Sequence, residues 1–507
     1  MPTCEHEKCG RDALGGPDGD DLCILHSEDP EKDKKAFWVA FEEHRKEHGD
    51  KFSGFVFPES VRFRGQTFDQ ADFSRAKFNG NAWFVGAQFS GDAWFSEAQF
   101  SGGAEFSEAQ FSKAAWFGRA QFSGDARFGW AQFSGNASFY GAQFSGDARF
   151  GWAQFSKAAT FGEARFSGNA SFYGAQFSGN ASFYGAQFSG DAWFGEAQFS
   201  KEASFVRTRF AKKADFHQSR VTGRTIFFGA TGEGGEQLIF SGAKVDFGNL
   251  IVEPLDALTF RDADLRKCRF LGTDLRKAEI TGAMWPEIPW HPDPRQPRLI
   301  RRSAKWARVA KRHLGEKYPK LKRRYDAVFG RIGRRIGVYD EIGKSKLSKN
   351  YPWSHIERLY RELKQNYEDR KDYERAGDFH YGEKEMRRKN PETPWGLWFA
   401  LSLYWLVSGY GERWVRPLLW LVGLLAISTL GYLWFGLSPK SAGGGATCGA
   451  GPDLWTTIEY SVRVMTLLKP DNLAPEGWSR LVNLVQSLLG PVLIGLFALA
   501  LRQRLRR

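Results

Sequence analysis

The chain has 507 residues, with 71 Lys and Arg against 58 Asp and Glu, a formal charge of +13. That length allows several domains, and five Cys in so many residues exclude a disulfide-built scaffold and favour a reducing compartment. The basic excess is concentrated: between Arg295 and Ser345 there are 17 Lys and Arg against 4 Asp and Glu, a local surplus equal to that of the whole chain.

The first fifty residues are polar, with no charged-then-apolar leader. Within them the pattern Cys4-x4-Cys9-x13-Cys23-x2-His26 places three thiols and an imidazole in two close pairs at the ends of a short loop. That is zinc-finger spacing and a sufficient tetrahedral set for a structural Zn²⁺, with all four positions filled and none left for water. His6 is an alternative ligand, although it sits between the thiols of one pair. Asp29 to His48 reads as a charged amphipathic helix turning Phe37, Trp38 and Phe41 toward the downstream segment.

From Ala82 to Phe205 the motif Ala-x-Phe recurs at spacings of five and six, an eleven-residue unit such as AQFSGDAWFSE. Upstream, Phe63, Phe68, Phe73 and Phe78 keep a strict period of five. Neither period is helical or a plain strand, so the segment is an internal repeat. Four units per square coil would point every Phe inward, with Ala as the second inward residue because a larger side chain would overfill the shaft. The Ser-Gly, Gly-Asp and Gly-Asn pairs are expected to make the corners. The 29 Phe from Phe63 to Phe216 amount to about seven coils, or ~35 Å at a strand spacing of ~4.8 Å.

These pentads resemble the pentapeptide-repeat family, which implies a right-handed quadrilateral β-helix. The later run Phe260, Leu265, Phe270, Leu275, Ile280 matches the family's Ala-Asp/Asn-Leu form. Ser219 to Thr259 reads as an irregular interruption with a bulged loop at GATGEGGEQ. The outward Gln88, Gln99, Gln110 and Gln121 suggest ladders between coils, and Trp94, Trp116, Trp130 and Trp152 offer a protein-partner surface.

After a Pro-rich break from Trp285 to Pro294, the basic stretch has helical character, and Arg301, Arg302, Lys305, Lys311 and Arg312 are candidate contacts to anionic inner-leaflet headgroups. A solvated linker and a nucleic-acid patch are the other readings of such a run, and no nucleic acid is expected as a partner. His355 to Lys389 reads as a helical hairpin, with Leu359, Leu363 and Tyr367 on one stripe and Phe379 and Met386 on the other. It is similar to the segment joining repeats to membrane domain in membrane-bound pentapeptide-repeat proteins. His380, Glu383 and Glu385 imitate a metal site but lack a fourth ligand.

Leu418 to Leu437 and Leu481 to Leu501 are long enough to span a bilayer. Trp395 to Leu406 is apolar but short, as for an interfacial or re-entrant helix. Basic residues (Arg387, Arg388, Lys389, Arg413, Arg416 and the terminal RQRLRR) flank the outer ends of the two spans, which predicts cytoplasmic termini in the cell (inner) membrane. Between the spans, Asp453 to Leu468 has the pattern of a pore helix. Here the chain resembles the two-transmembrane potassium-channel family, aligned on Trp478-Ser479-Arg480-Leu481. The filter-equivalent positions are then Thr466, Leu467, Leu468, Lys469, Pro470 and Asp471. Leu468 and Pro470 replace both filter glycines and Lys469 the aromatic, so potassium selectivity does not follow from the resemblance. Ser408-Gly409-Tyr410-Gly411-Glu412 spells a filter but precedes the first span.

The domains so drawn are 1–50 (zinc module and capping helix), 51–284 (repeats), 285–392 (basic linker and hairpin) and 393–507 (membrane domain). No phosphate loop, no nucleophile beside a base and no open metal site is present in the pattern, so no enzyme is expected. The expectation is a channel-like membrane domain bearing a cytoplasmic repeat rod, as a homo-oligomer that is tetrameric if channel-like. The alternative is a non-conducting membrane-anchored scaffold.

Overall fold

The computed structural model describes residues 22–228, 244–289, 334–343, 353–439, 453–468 and 473–505. The chain forms two units, Met1–Glu287 with Val338–Asn350, and Ile288–Gly337 with Tyr351–Arg507.

The first unit is a solenoid of four parallel sheets with 8, 10, 9 and 10 strands, about ten turns. Most strands are two residues long, one side chain in and one out, because each pentad has only that much extended chain before the next corner. Register is set by like on like: Ala104 lies opposite Ala82 and Ala126, and Phe111 opposite Phe89 and Phe133. The repeat is therefore 22 residues per coil, tightening to 21 in the first coils, where Phe57 pairs with Phe78.

Ring stacking holds the shaft. Phe106 lies parallel to Phe84 and Phe128 at 4.7 and 4.9 Å, and edge-on to Phe95 and Phe117 at 5.3 and 5.4 Å. Each such aromatic pair adds about 0.5–1.5 kcal/mol beyond burial. Ala98, Ala109 and Ala120 are fully buried, as expected for the second inward column.

The corners depart from the sequence expectation and are of two kinds. Left-handed backbone falls on residues such as Glu97, Arg119, Trp130 and Trp152 (φ between 55° and 60°) and on Gly86, Gly141 and Gly174. The Ser-Gly-Asx glycines serve a different need. A Cβ on Gly124 would lie 2.6 Å from the carbonyl oxygen of Gly102, so those corners require glycine for close approach of neighbouring coils.

The expected interruption at Ser219 to Thr259 is also mostly regular. Arg220–Val221, Thr225–Phe228, Lys244–Asp246, Ile251–Val252 and Leu258–Arg261 each continue one of the four sheets. The predicted bulge at 229–237 lies outside the described residues. Changes of inward residue, Val221 for Phe and Thr225 for Ala, hide the period without breaking it.

Both ends are closed, as open strand edges must be. Helix α1, Lys34–His48, begins later than the expected Asp29 because Asp33 caps it, accepting from Lys35 N at 2.8 Å. Its buried Phe41 stacks on Phe52 (4.8 Å) and its buried Phe37 meets Phe57 edge-on (5.6 Å) in the first coil. At the far end, α2 (Tyr339–Gly343) belongs to the solenoid unit, and its Asp340 accepts from Phe270 N and Leu271 N.

In the second unit, α3 (Trp353–Asp369) and α4 (Tyr373–Lys389) form the expected hairpin, burying Leu359, Leu363, Tyr367, Phe379 and Met386. After it come α5 (Trp395–Ser408), α6 (Val415–Phe435), α7 (Leu454–Met465) and α8 (Ser479–Leu505). Helices α6 and α8 are long and apolar enough to cross a membrane.

Candidate functional site

Helix α7 packs against both α6 and α8, and polar side chains make the joints. Gln486 of α8 accepts from the Tyr432 hydroxyl of α6 at 2.9 Å. Its amide nitrogen donates to Ser461 O (3.1 Å) and Ser461 Oγ (2.6 Å) of α7. Asn483 Nδ2 donates to the Tyr460 hydroxyl at 2.7 Å, and Ser479 Oγ to Gly436 O at 2.6 Å. Gly490 lets α7 approach: a Cβ there would lie 2.8 Å from Met465 O. The outer faces are apolar and exposed, including Ile427, Leu430, Trp434, Leu488 and Val492. Asn483 and Gln486 are absent from the sequence expectations, although a lone amide in an apolar run is a signal of such a joint.

Of the filter-equivalent positions, Thr466 ends α7, with Oγ1 bonded back to Val462 O at 2.9 Å. Leu467 is left-handed (φ 59°), and Leu468 N returns to Arg463 O at 2.8 Å. Those bonds occupy carbonyls at the helix end. Lys469, Pro470 and Asp471 lie outside the described residues. The strands Leu437–Pro439 and Leu473–Pro475 pair antiparallel and bring the two ends of the intervening loop together.

A second cluster sits where the hairpin meets α5. Arg388 is fully buried, donates to both oxygens of Glu385 (2.9 and 3.1 Å), and donates from Nε to the Tyr410 hydroxyl at 3.0 Å. Tyr410 reaches them from a left-handed run, Gly409 (56°), Tyr410 (60°) and Gly411 (82°). The filter look-alike is thus a helix terminator that buries a tyrosine. Burial works to raise the Glu385 pKa, but Lys389 and Arg388 outweigh it and hold the carboxyl down at about 2. Glu383 is likewise opposed by burial yet held at about 2 by His380 and Arg361. Glu383 thus pairs with Arg361 and lies 3.8 Å from His380 Nδ1, Glu385 pairs with Arg388, and no metal-holding group of three occurs among the described residues.

At the N-terminal end, Cys23 Sγ lies 3.2 Å from His26 Nδ1, both side chains buried. Cys4 and Cys9 lie outside the described residues, as do Arg301, Arg302, Lys305, Lys311 and Arg312.

Family comparison falls on the solenoid. Residues 52–99, 63–110, 106–151, 153–198 and 183–231 match the family described as Pentapeptide repeats (9 copies), and 255–284 match Pentapeptide repeats (8 copies). The solenoid is built of pentapeptide repeats. The pentapeptide match resumes at 255, in keeping with the Leu-rich coils around Leu265 and Leu275. No potassium-channel family matches the chain. No curated protein and no solved structure gave a match.

Outside the shaft, the pentapeptide rod carries aromatics on its left-handed corners. Trp130 (61 % exposed), Trp152 and Tyr173 lie along one corner, Tyr140 and Tyr184 along another. Trp152 leans over Gly174 one coil on, and Tyr140 over Gly162, so each ring fills the space a glycine leaves. Trp116 instead pairs with Trp94 on a flat face, which separates the four predicted tryptophans into two columns.

Proposed function

We propose that the chain is a membrane-anchored repeat protein. In this reading α6, α7 and α8 form a channel-like membrane domain, with the pentapeptide rod, the hairpin and both termini on the cytoplasmic side of the cell membrane. The observation that carries the reading is the Tyr432–Gln486–Ser461 network, which fixes a short helix between two apolar helices. A helix of 12 residues is too short to span, so in a bilayer it enters and leaves on one side, the geometry of a pore helix. Its outer face pairs Glu459 with Arg463 at 2.7 Å, charges that lipid would not solvate. A second copy of the chain around a wet axis would solvate them, which favours a homo-oligomer, tetrameric if the channel resemblance extends that far. Arg387 and Lys389 at the hairpin end and Arg413 just before α6 argue for the cytoplasmic side. The basic stretch with Arg301, Arg302, Lys305, Lys311 and Arg312 would face anionic headgroups. Without filter glycines, conduction would be unselective or anion-preferring. No catalytic step belongs to this reading.

Purified full-length protein in planar bilayers tests it. Currents that disappear when Thr466 and Leu468 are substituted support a pore, and silent bilayers at verified reconstitution remove it. The corner aromatics Trp130, Trp152 and Tyr173 favour the second reading, a non-conducting scaffold that binds a protein along the rod. In that case W130A/W152A would lose a partner that the wild type retains.

A further inference from the structure

We infer that α5 lies flat in the bilayer surface on the hairpin's side, one face fixed to the hairpin and the other sunk among the lipids. It thereby fastens the hairpin to the membrane. This placement rests on the membrane reading of α6 and α8, but neither span requires it.

The two faces of α5 differ in burial and not in polarity, for none of its 14 residues is charged. On one face Leu401 is buried with Tyr381 of α4 and with Tyr410, and Leu397, Tyr404 and Trp405 pack against that cluster. Polar tips complete the joint. Trp405 Nε1 donates to the Tyr381 hydroxyl at 2.6 Å, and the Arg388 guanidinium lies over the Trp405 ring at 5.1 Å. On the other face Trp395, Phe399, Leu403 and Leu406 follow at spacings of four, four and three, a single helical stripe. These four are 46 to 76 % exposed. A contiguous apolar patch of this kind marks a contact with a membrane or a protein.

Continuity with α6 selects lipid. Arg416 Nη1 donates to Trp405 O at 2.5 Å and Trp420 Nε1 to Leu406 O at 3.4 Å, so the end of α5 is held beside the start of α6. The apolar surface that ends at Leu406 resumes on α6 at the exposed Leu419, Trp420 and Val422. Exposed Trp395 at one end of α5 and Trp420 beside the other suit the headgroup level, where tryptophan is enriched.

Depth follows from what each side tolerates. A helix of 14 residues is about 21 Å long and cannot cross ~30 Å of hydrocarbon. The hairpin carries exposed cations, Arg358, Arg361 and Arg387, which hydrocarbon would not accept. Helix α5 therefore sits at the boundary between the two. Its stripe is apolar from end to end, so it lies along the surface instead of standing in it.

Photocross-linking of the full-length protein in nanodiscs of phosphatidylglycerol and phosphatidylethanolamine tests this placement. The reporter, p-benzoylphenylalanine, replaces Trp395, Phe399, Leu403 or Leu406 one at a time. We expect a lipid adduct at each position, attached near the glycerol end of the acyl chain and at the same depth. At Tyr404, whose ring meets Tyr410 at 5.7 Å on the buried face, the reporter should cross-link within the chain instead. At the exposed Ile427 of α6 it reads the span alone and should give adducts deep in the acyl chain. Lipid at Ile427 with none along the α5 stripe would overturn the placement and leave the membrane reading standing. Cross-linked dimers at Phe399 and Leu403 would overturn it in favour of a second copy, which the exposed Gly396 and Ala400 would admit. Adducts that deepen steadily from Trp395 to Leu406 would overturn it in favour of a helix entering the leaflet. Absence of lipid at Ile427 and α5 alike would remove the membrane reading, and the placement with it.

Discussion

The carboxylate of Asp340 accepts the backbone N–H of Phe270 at 3.0 Å, across 70 residues of chain. Its other oxygen takes Leu271 N at 3.2 Å. Along the solenoid such N–H groups bond to the carbonyl one coil on, as Phe247 N does to Arg269 O. The last rung has no further coil, and a side chain from α2 takes the missing place.

This docking should depend on pH. Burial raises the Asp340 pKa to about 6, against the pull of Phe270 N and Arg269, with Asp246 also pushing upward. The nearby Cys268 thiol is itself raised, by burial and then by Asp264 and Asp340. The folded pKa lies above the unfolded value of 3.8, so the folded state holds the proton more tightly. The stabilisation is fully present below pH 4 and is lost as pH rises through about 6, a change of about 3 kcal/mol. Amide exchange at Phe270 and Leu271, corrected for intrinsic rate, should therefore be faster at pH 7.5 than at pH 5. In D340N that difference should vanish, and an unchanged pH profile in D340N would refute the account.

The two kinds of corner predict two sizes of glycine effect. In G124A the new methyl meets Gly102 O and C at 2.6 and 2.7 Å, backbone atoms that cannot swing aside. The expected cost is about 3 kcal/mol, at the upper end for overpacking. In G86A nothing lies within 4 Å and only the left-handed conformation (φ 62°) penalises the methyl, at about 1–2 kcal/mol. Urea unfolding of the two variants gives the comparison. An equal or reversed order would mean that neighbouring coils yield more readily than their hydrogen bonds suggest.

The Gln486 amide joins three helices, so its loss should exceed that of any one partner. Q486L removes three bonds and strands Tyr432 and Ser461 in an apolar setting, for about 2 kcal/mol in detergent. Y432F removes a single bond and should cost about 0.6 kcal/mol. Thermal unfolding of both variants separates the values. Equal shifts would show that α7 is held by packing alone.

Legibility in the sequence follows repetition. The Phe and Ala columns are readable because every coil repeats the same packing problem, so Phe106 and Phe128 report one environment twice. The corners are not, because glycine answers two different demands, left-handed backbone at Gly86 and close approach at Gly124, which look alike in a sequence. The coils at Val221 and Thr225 escape notice because the inward size rule survives a change of residue type while the letter pattern does not. Pairings made once, between residues far apart in the chain, leave no periodic trace: Asp340 with Phe270, and Glu385 with Tyr410.

Glu385 provides the last prediction. Its carboxylate pairs with Arg388 at 2.9 Å, also meets Lys389 at 3.2 Å and the Tyr410 hydroxyl at 3.1 Å, and the residue is 2 % exposed. Its folded pKa of about 2 lies below the reference value of 4.5. The stabilisation is therefore present above pH 4.5 and is lost as pH falls toward 2, by about 3 kcal/mol. E385Q should destabilise more sharply at pH 7, by about 3–5 kcal/mol, because it deprives the buried Arg388 and Lys389 of this countercharge. The variant should also lose the acid-dependent decline, having no carboxyl to protonate there. R388M/E385M, which removes both main partners, should recover part of the loss, since an apolar pair of similar volume replaces a charge pair with little net cost. Denaturant midpoints for the three proteins between pH 7 and pH 3 test these expectations together. A single E385Q variant within about 1 kcal/mol of wild type at pH 7 would show that water reaches the cluster and screens it.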